Sequence, residues 1–193
     1  ERGADANAVA RHAGTPLDVA DEAGQAVMAA WLESRGASLT PLRFDIASLS
    51  PSIHRVTFPW GMRNNVVVLS SAEGALVVDT GFSTRAVPEL KALVAGWSTA
   101  GIRYVVNTHA HGDHVAGNAL APTPGAVVTA AALGGASGLE VARDAEPLRG
   151  RSGRTLPAPW TLRVGGREIK LVHRPGLHSD ADLMVYFPSE SVV

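Results

Sequence analysis

Three histidines and one aspartate follow an apolar stretch near the middle of the chain. Residues 104–106 are aromatic and β-branched, which favours a buried strand. Within the six positions 109–114 come His109, His111, Asp113 and His114. Residues two apart on an extended strand point to the same side, so His109 and His111 can face one ion. Imidazole and carboxylate are ligands that zinc and similar metals prefer, so this cluster, in a chain with seven histidines, indicates a metal site.

The composition excludes several kinds of partner and site. A formal net charge of −1 gives no electrostatic reason to expect nucleic acid or an anionic membrane surface as a partner. The chain has no cysteine, which excludes disulfides and thiolate metal ligands and fits cytoplasm and periplasm equally. No apolar run reaches the roughly 18 residues of a membrane-spanning helix. Because the chain begins at Glu1 without Met, we expect it to belong to something longer.

The first 37 residues have a helical pattern. Thr15 is a suitable N-cap and Pro16 is tolerated in a first turn, so a short helix is expected from there to about Ala23. A second helix is expected over residues 25–34. Its apolar face would carry Val27, Met28, Trp31 and Leu32.

This N-terminal segment, residues 1–37, resembles a single ankyrin repeat. The resemblance rests on the Gly-Ala-Asp loop at 3–5, the Thr-Pro-Leu helix start at 15–17 and the Arg-Gly-Ala triplets at 2–4 and 35–37, which are one ankyrin period apart. Asp18 departs from the family, which usually has His there. Since about three repeats are needed for stability, the resemblance implies further repeats upstream and a protein partner for this segment. An unrelated helical hairpin is the alternative.

The rest of the chain is rich in strands. Residues 38–52 are interpreted as a linker or lead-in strand, and residues 53–193 as one domain. Strands are predicted over 53–58, 65–70, 75–79, 102–107, 126–129 and 183–187, a helix over 84–100, and a hairpin over 157–170 that turns at Gly165-Gly166. Residues 130–145 predict at most a weak helix. This uneven alternation of strands and helices is typical of an α+β fold with an αββα sandwich.

The histidine cluster resembles the T-H-x-H-x-D-H signature of the metallo-β-lactamase superfamily, with Thr108 as its first residue. The resemblance implies that residues 53–193 form the N-terminal portion of a metallo-β-lactamase-like αββα sandwich that is incomplete at its C-terminus. In that family a Gly-x-His-(Thr/Ser) turn supplies a third ligand beside the first two histidines. Residues 176–179 match this turn, so His178 is implied as the partner of His109 and His111.

The same resemblance implies a second, partial metal site. Asp113 and His114 would begin it, and the family's remaining ligands would lie after Val193. The implied cofactor is therefore Zn²⁺, as one or two ions, with the second site incomplete in this sequence. Asp180 and Asp182 could substitute as ligands, although acidic loop residues are more often solvated.

Other residues near the predicted site have less specific interpretations. Asp79 ends a strand where the family keeps an aspartate that braces the metal loop, although a simple turn aspartate is the alternative. Trp60, Met62 and Asn64 lie on a turn that either overhangs the pocket or forms part of the surface or core. No chemistry is assigned to the remaining histidines, His12, His54 and His173.

The implied function is hydrolysis of a small-molecule substrate. Zinc makes hydroxide available from water at neutral pH, and that hydroxide would attack an ester, thioester, amide, lactam or phosphoester. Asp113 would be the catalytic residue, which orients the nucleophile or accepts its proton. We expect this 193-residue length alone to bind one zinc ion weakly and to have little activity.

Two other functions stay open. The ankyrin-like segment could bind a protein while the metal domain is inactive, or the metal could be structural with a closed shell of four ligands. The clustered imidazoles argue against an inactive scaffold, which would have no physical need for them.

Overall fold

The computed structural model describes residues 3–10, 13–58, 63–133, 141–144, 146, 148–149 and 155–193. The helices are α1 (Pro16–Glu22), α2 (Ala26–Glu33), α3 (Val87–Trp97), α4 (Gly112–Val115) and α5 (Ala130–Leu133), with 3-10 turns at Thr84–Ala86, Asn118–Leu120 and Pro124–Ala126. The strands are β1 (Asp45–Ser48), β2 (Ile53–Thr57), β3 (Asn65–Leu69), β4 (Ala75–Val78), β5 (Ile102–Val106), β6 (Val127–Val128), β7 (Val141–Arg143), β8 (Leu148–Arg149), β9 (Thr155–Leu156), β10 (Trp160–Val164), β11 (Arg167–His173) and β12 (Leu183–Tyr186). Among the described residues, no helix has the length and apolar character needed to cross a membrane.

The first sheet contains β1 to β6 in chain order. Strands β1 to β4 are antiparallel neighbours, whereas β4, β5 and β6 run parallel. The strand β1 lies inside the segment 38–52 and pairs with β2, so this segment includes a lead-in strand. Parallel β4 and β5 end at the same edge of the sheet, which is where open parallel sheets form their sites.

The second sheet is antiparallel, in the order β12-β11-β10-β7. Its central hairpin, β10 and β11, turns at Gly165 and Gly166, as the sequence predicted, and both glycines have positive φ. Of the weak helix predicted over 130–145, α5 forms the first turn, and residues 134–140 and 145 lie outside the described residues. Residues 141–143 instead form a strand, because their backbone groups pair with residues 160–162 and this long-range pairing outweighs local propensity.

Apolar residues pack on both faces of the first sheet, against α3 on one face and against the second sheet on the other. Along β3, Val66 and Val68 face α3, while Val67 and Leu69 face the second sheet. This period-two alternation is what a strand buried on both faces requires. The order of layers is therefore α3, the first sheet and the second sheet, with a hydrophobic core on each face of the first.

The N-terminal helices form a hairpin with a small core of Leu17, Ala20 and Leu32. Thr15 and Asp18 make a reciprocal capping box at the start of α1. The apolar face predicted for α2 is largely exposed, because Val27 is 87% and Trp31 is 53% accessible. The helix pair is present, and its assignment to the ankyrin family stays a prediction.

Asp18 also joins the hairpin to the sheet domain. Its carboxylate is 1% accessible, accepts hydrogen bonds from the backbone and hydroxyl of Thr40, and pairs with Arg85 at 3.1 Å. A histidine at position 18 could not provide these two acceptor oxygens. Asp18 is therefore explained by its contacts with Thr40 and Arg85.

Candidate metal centre

Asp79 lies immediately after β4 and organises the edge of the sheet. The residue is 5% accessible and its backbone is left-handed, with φ of 58°. Its Oδ1 accepts a hydrogen bond from the backbone N–H of Thr108 at 2.8 Å, and its Oδ2 accepts one from the Thr108 hydroxyl, also at 2.8 Å. Oδ2 also lies 2.7 Å from Nδ1 of His114. Asp79 therefore connects the ends of two parallel strands to the histidine cluster.

These contacts determine the protonation of two histidines. Because a carboxylate only accepts, Nδ1 of His114 carries a proton, and in the neutral ring Nε2 keeps its lone pair. The Thr108 hydroxyl donates to Asp79 and so can accept from Nδ1 of His109, which is 3.1 Å away. That arrangement leaves Nε2 of His109 available as well. Carboxylate–histidine contacts of this kind are common behind metal-bound imidazoles.

His109 and His111 lie in the loop between β5 and α4. His111 precedes α4 in a β conformation, and the short helix then presents Asp113 and His114 on the same side. The ring centroid of His109 lies 4.7 Å from that of His111 and 4.1 Å from that of His114. The three histidines that lie within six positions of the sequence thus have their rings in one compact group.

His178 reaches this group from the loop between β11 and β12. Its Nε2 lies 3.1 Å from Nδ1 of His111. One ring nitrogen from each of His109, His111 and His178 can be chosen so that all three lie within 4.8 Å of one another. The two loops are held together where the backbone N–H of Leu183 donates to the carbonyl of Thr108 at 2.7 Å.

A second pair of donors lies beside the three histidines. Oδ2 of Asp113 and Nε2 of His114 are 3.3 Å apart. The side-chain amide of Asn64 donates to Oδ2 of Asp113 at 2.9 Å and lies 3.4 Å from Nε2 of His114. The Oδ1 atom of Asn64 is buried and has no hydrogen-bond partner among the described residues.

Comparison with known proteins assigns the family. The sequence profile of the metallo-beta-lactamase superfamily matches residues 59–193, which is more than two thirds of the chain. The chain belongs to the metallo-beta-lactamase superfamily. A comparison with curated protein sequences finds no match.

Solved structures share the superfamily fold at low identity. The chain is similar to a metallo-beta-lactamase from Pontibacter korlensis, with a TM-score of 0.51, 19% identity, and coverage of 76% of this chain and 68% of that one. It is similar to metallo-beta-lactamase IND-7, with a TM-score of 0.53, 18% identity and coverage of 78% and 69%. A flavoprotein from Thermotoga maritima gives a TM-score of 0.50, 16% identity and coverage of 78% and 40%. At these identities the similarity establishes the fold alone.

The residues of this superfamily member fit a metal ion by the chemistry of their donors. Four-coordinate zinc with Zn–N distances of about 2.0–2.1 Å separates neighbouring ligand nitrogens by about 3.3 Å. The 3.1 Å separation between His111 and His178 is close to that value, whereas the three ring nitrogens together span up to 4.8 Å, so small rotations of the rings would be needed to bind one ion. Three imidazoles from this chain also leave a fourth position for water or substrate, as in catalytic sites.

Burial and neighbouring charges shift several pKa values in the cluster. Burial lowers the pKa of His109, and the neighbouring histidines lower it further, so its ring is neutral at pH 7. The hydrogen bond to Asp79 raises the pKa of His114, against the opposite effect of burial. Burial raises the pKa of Asp113, but the hydrogen bond from Asn64 and the nearby His114 outweigh it and lower that pKa. Asp113 is thus a carboxylate at neutral pH.

The structure adds supporting residues that the sequence analysis did not identify. The backbone N–H and hydroxyl of Thr80 both donate to the carbonyl of His114, at 2.9 and 3.0 Å. The side-chain amides of Asn107 and Asn118 bond to each other reciprocally at 3.0 Å beneath the motif. Gly117 is needed there because a Cβ would lie 2.7 Å from the carbonyl oxygen of Thr80. Single polar residues in loops carry no sequence signal of such partners.

The other predicted residues lie around the cluster or outside the described residues. Asp182 binds the backbone of the His178 loop, and Asp180 offers its carbonyl to His173. His54 stacks on Trp97 with ring centroids 4.2 Å apart, in contact with the α3 layer. Trp60, Met62 and His12 lie outside the described residues.

Proposed function

We propose that this protein is a zinc-dependent hydrolase of small molecules that carry an ester, thioester, amide, lactam or phosphoester bond. The observation that supports this most is the convergence of His109, His111 and His178, whose ring nitrogens come from two distant loops and lie within 4.8 Å. Asp113 and His114 would contribute to a second site beside the first. Membership of the superfamily supports hydrolysis as the type of reaction.

The protein's residues have distinct parts in this proposal. A bound zinc ion would lower the pKa of water to about 7 and polarise the oxygen of the substrate. His109 is held neutral by burial, which keeps its lone pair available for the ion. Asp113 accepts a hydrogen bond from Asn64 and remains ionised. A carboxylate with a lowered pKa is a weak base, so Asp113 is better suited to orient the nucleophilic water than to store its proton.

A zinc titration combined with hydrolysis assays tests the proposal. The metal-free protein is titrated with zinc by competition with a chromophoric chelator, and then assayed with a panel of chromogenic esters, thioesters and lactams. We expect slow zinc-dependent turnover from this 193-residue length, which His111→Ala and His178→Ala abolish. As a matched control, His54→Ala removes a histidine that lies away from the cluster and should keep zinc affinity. Turnover that is equal with and without zinc would refute the proposal.

A second function is favoured by one observation, the exposed apolar side chains of α2. Val27, Met28 and Trp31 are 87%, 52% and 53% accessible, which suits a protein-binding surface on the N-terminal hairpin. In that case the hairpin binds a partner while the metal domain is inactive. Replacing Trp31 and Val27 by Ser should then abolish partner binding, and the unsubstituted protein should hydrolyse none of the small substrates with or without zinc.

A further inference from the structure

The carboxylate of Asp182 organises the loop that carries His178. Its Oδ2 accepts hydrogen bonds from the backbone N–H of His178 at 2.6 Å and of Ser179 at 3.0 Å. Its Oδ1 accepts from the hydroxyl of Ser179 at 2.6 Å and from the same backbone N–H at 3.0 Å. Both oxygens are therefore occupied by donors from the loop.

The backbone of Asp182 is anchored on both sides. Its carbonyl accepts from the backbone N–H of Arg174 at 2.9 Å, which closes the base of the loop. The next residue, Leu183, donates to the carbonyl of Thr108 at 2.7 Å, at the start of the histidine motif. Asp182 thus connects the fixed end of β12 to the tip of the loop.

Apart from Asp182, the tip of this loop is held by a backbone hydrogen bond from the N–H of Gly176 to the carbonyl of Ser179 at 2.9 Å and by the contact of the His178 ring with His111. Residues 175–178 are exposed, so few buried contacts restrict them. Exposed loops with few buried contacts open at low free-energy cost. The ring of His178 must nevertheless stay within about 3 Å of His111 for both to bind one ion. The hydrogen bonds that Asp182 accepts from the backbone N–H groups of His178 and Ser179 add this restraint.

We infer that Asp182 is the positioning residue of His178, which holds the third imidazole at the metal centre without ligating the ion itself. This inference rests on the proposed function. It assigns this role to Asp182 and not to Asp180, because no side-chain hydrogen bond of Asp180 is present among the described residues.

The substitution Asp182→Asn tests the inference, with Asp180→Asn as the matched control. Each variant removes one negative charge from the same loop. In Asp182→Asn, the amide NH₂ must face the backbone N–H of Ser179 in either orientation, because that N–H lies 3.0 Å from both oxygens of Asp182 and can only donate. We expect zinc affinity to fall by about 10- to 100-fold, the usual effect of losing such a supporting contact. Asp180→Asn should stay within about threefold of the wild type, because a surface charge alone contributes little.

Cobalt(II) spectra report the geometry of the site independently of activity. We expect strong visible absorption from the wild type and Asp180→Asn, as four-coordinate cobalt gives, and a weaker band from Asp182→Asn because a detached His178 is replaced by water. A double-mutant cycle completes the test. Asp182→Asn added to His178→Ala should change zinc affinity by less than about twofold, since two residues that act as one unit are not additive.

Each result has a separate meaning. Additive effects, or equal weakening by Asp182→Asn and Asp180→Asn, would overturn the positioning role while the proposed function stands. Failure of the wild type to bind zinc or cobalt would refute the proposed function and the inference with it. If circular dichroism shows that Asp182→Asn does not fold, Ser179→Ala replaces it. This variant removes the hydroxyl that donates to Asp182 and should weaken zinc binding by about two- to fivefold. Unchanged affinity would contradict the inference.

Discussion

Replacing Asp79 by Asn tests how the carboxylate of this residue supports the metal centre. Asn is among the few residues that tolerate a left-handed backbone, so the change keeps the conformation at φ of 58°. It has nearly the same shape but exchanges one acceptor oxygen for an NH₂ group. The Thr108 backbone N–H can only donate, so the remaining oxygen must face it, and the NH₂ group then faces His114 and the Thr108 hydroxyl.

The contacts give the size of the effect. Asp79 accepts three hydrogen bonds of 2.7 to 2.8 Å and is almost fully buried. Loss of a hydrogen bond to a charged group costs about 1.5–3 kcal/mol. We therefore expect the free energy of unfolding of the metal-free protein to fall by about 2–3 kcal/mol. Because His114 must then turn its protonated nitrogen away from Asn, zinc affinity should fall by about 10- to 100-fold.

The pH dependence of the stability difference provides a second measurement. The pKa of His114 is raised above its ordinary value of 6.5 in the folded protein. Its contribution to stability is fully present below the unfolded pKa and is lost as pH rises through the raised folded pKa. The difference between the wild type and Asp79→Asn should therefore be largest below about pH 6.5 and shrink at higher pH.

Urea unfolding across pH and NMR titration of the His114 ring measure these quantities in the metal-free protein. Thr108→Val is the control, since it removes a hydroxyl from Asp79 but leaves the contact with His114. We expect the raised pKa of His114 in the control and an ordinary or lowered pKa in Asp79→Asn. An unchanged pKa of His114 in Asp79→Asn, or a stability difference independent of pH, would show that Asp79 does not act through this histidine.

Three further predictions follow from other contacts. Asp18→Asn breaks a buried ion pair and should destabilise the N-terminal hairpin by about 3–5 kcal/mol in hydrogen exchange of residues 15–40, whereas the exposed Asp21→Asn should have almost no effect; equal effects would contradict the ion-pair argument. Asn64→Ala removes a hydrogen bond to Asp113 and should raise the pKa of that carboxyl and lower kcat/KM by up to about tenfold, measured by NMR titration and steady-state kinetics, so an unaltered pKa would count against it. Gly117→Ala places a Cβ against the Thr80 carbonyl and should cost about 1–3 kcal/mol in thermal or urea unfolding, while Gly96→Ala, where a Cβ meets nothing within 4 Å, should not destabilise.

Local spacing was sufficient to predict much of the fold. The β-branched run at 66–68 predicted β3, and the glycine pair at 165–166 predicted the turn between β10 and β11. The motif at 109–114 predicted that His109 and His111 can face one ion, and both rings do lie in one group, although β5 ends at Val106 and a loop rather than a strand carries them. These features depend on a few neighbouring dihedral angles.

Residues far apart in sequence were harder to assign. His178 entered the prediction through family resemblance, since the chain separates it from His111 by 67 positions. The contact of Asn64 with Asp113 spans 49 positions and was only one of several interpretations of its turn. The exposure of the apolar face of α2 also depends on what packs beside it, which amphipathic periodicity alone does not specify.

By itself, the sequence determined which donors this protein has and which of them lie side by side along one strand and turn. Tertiary structure decided how two loops meet, that Asp182 binds the backbone beside His178, and that Asp18 reaches Arg85. The physical reason is range. Backbone geometry orients side chains a few residues apart, whereas contacts between loops depend on how the two sheets pack and on the strand pairings that close the chain between them.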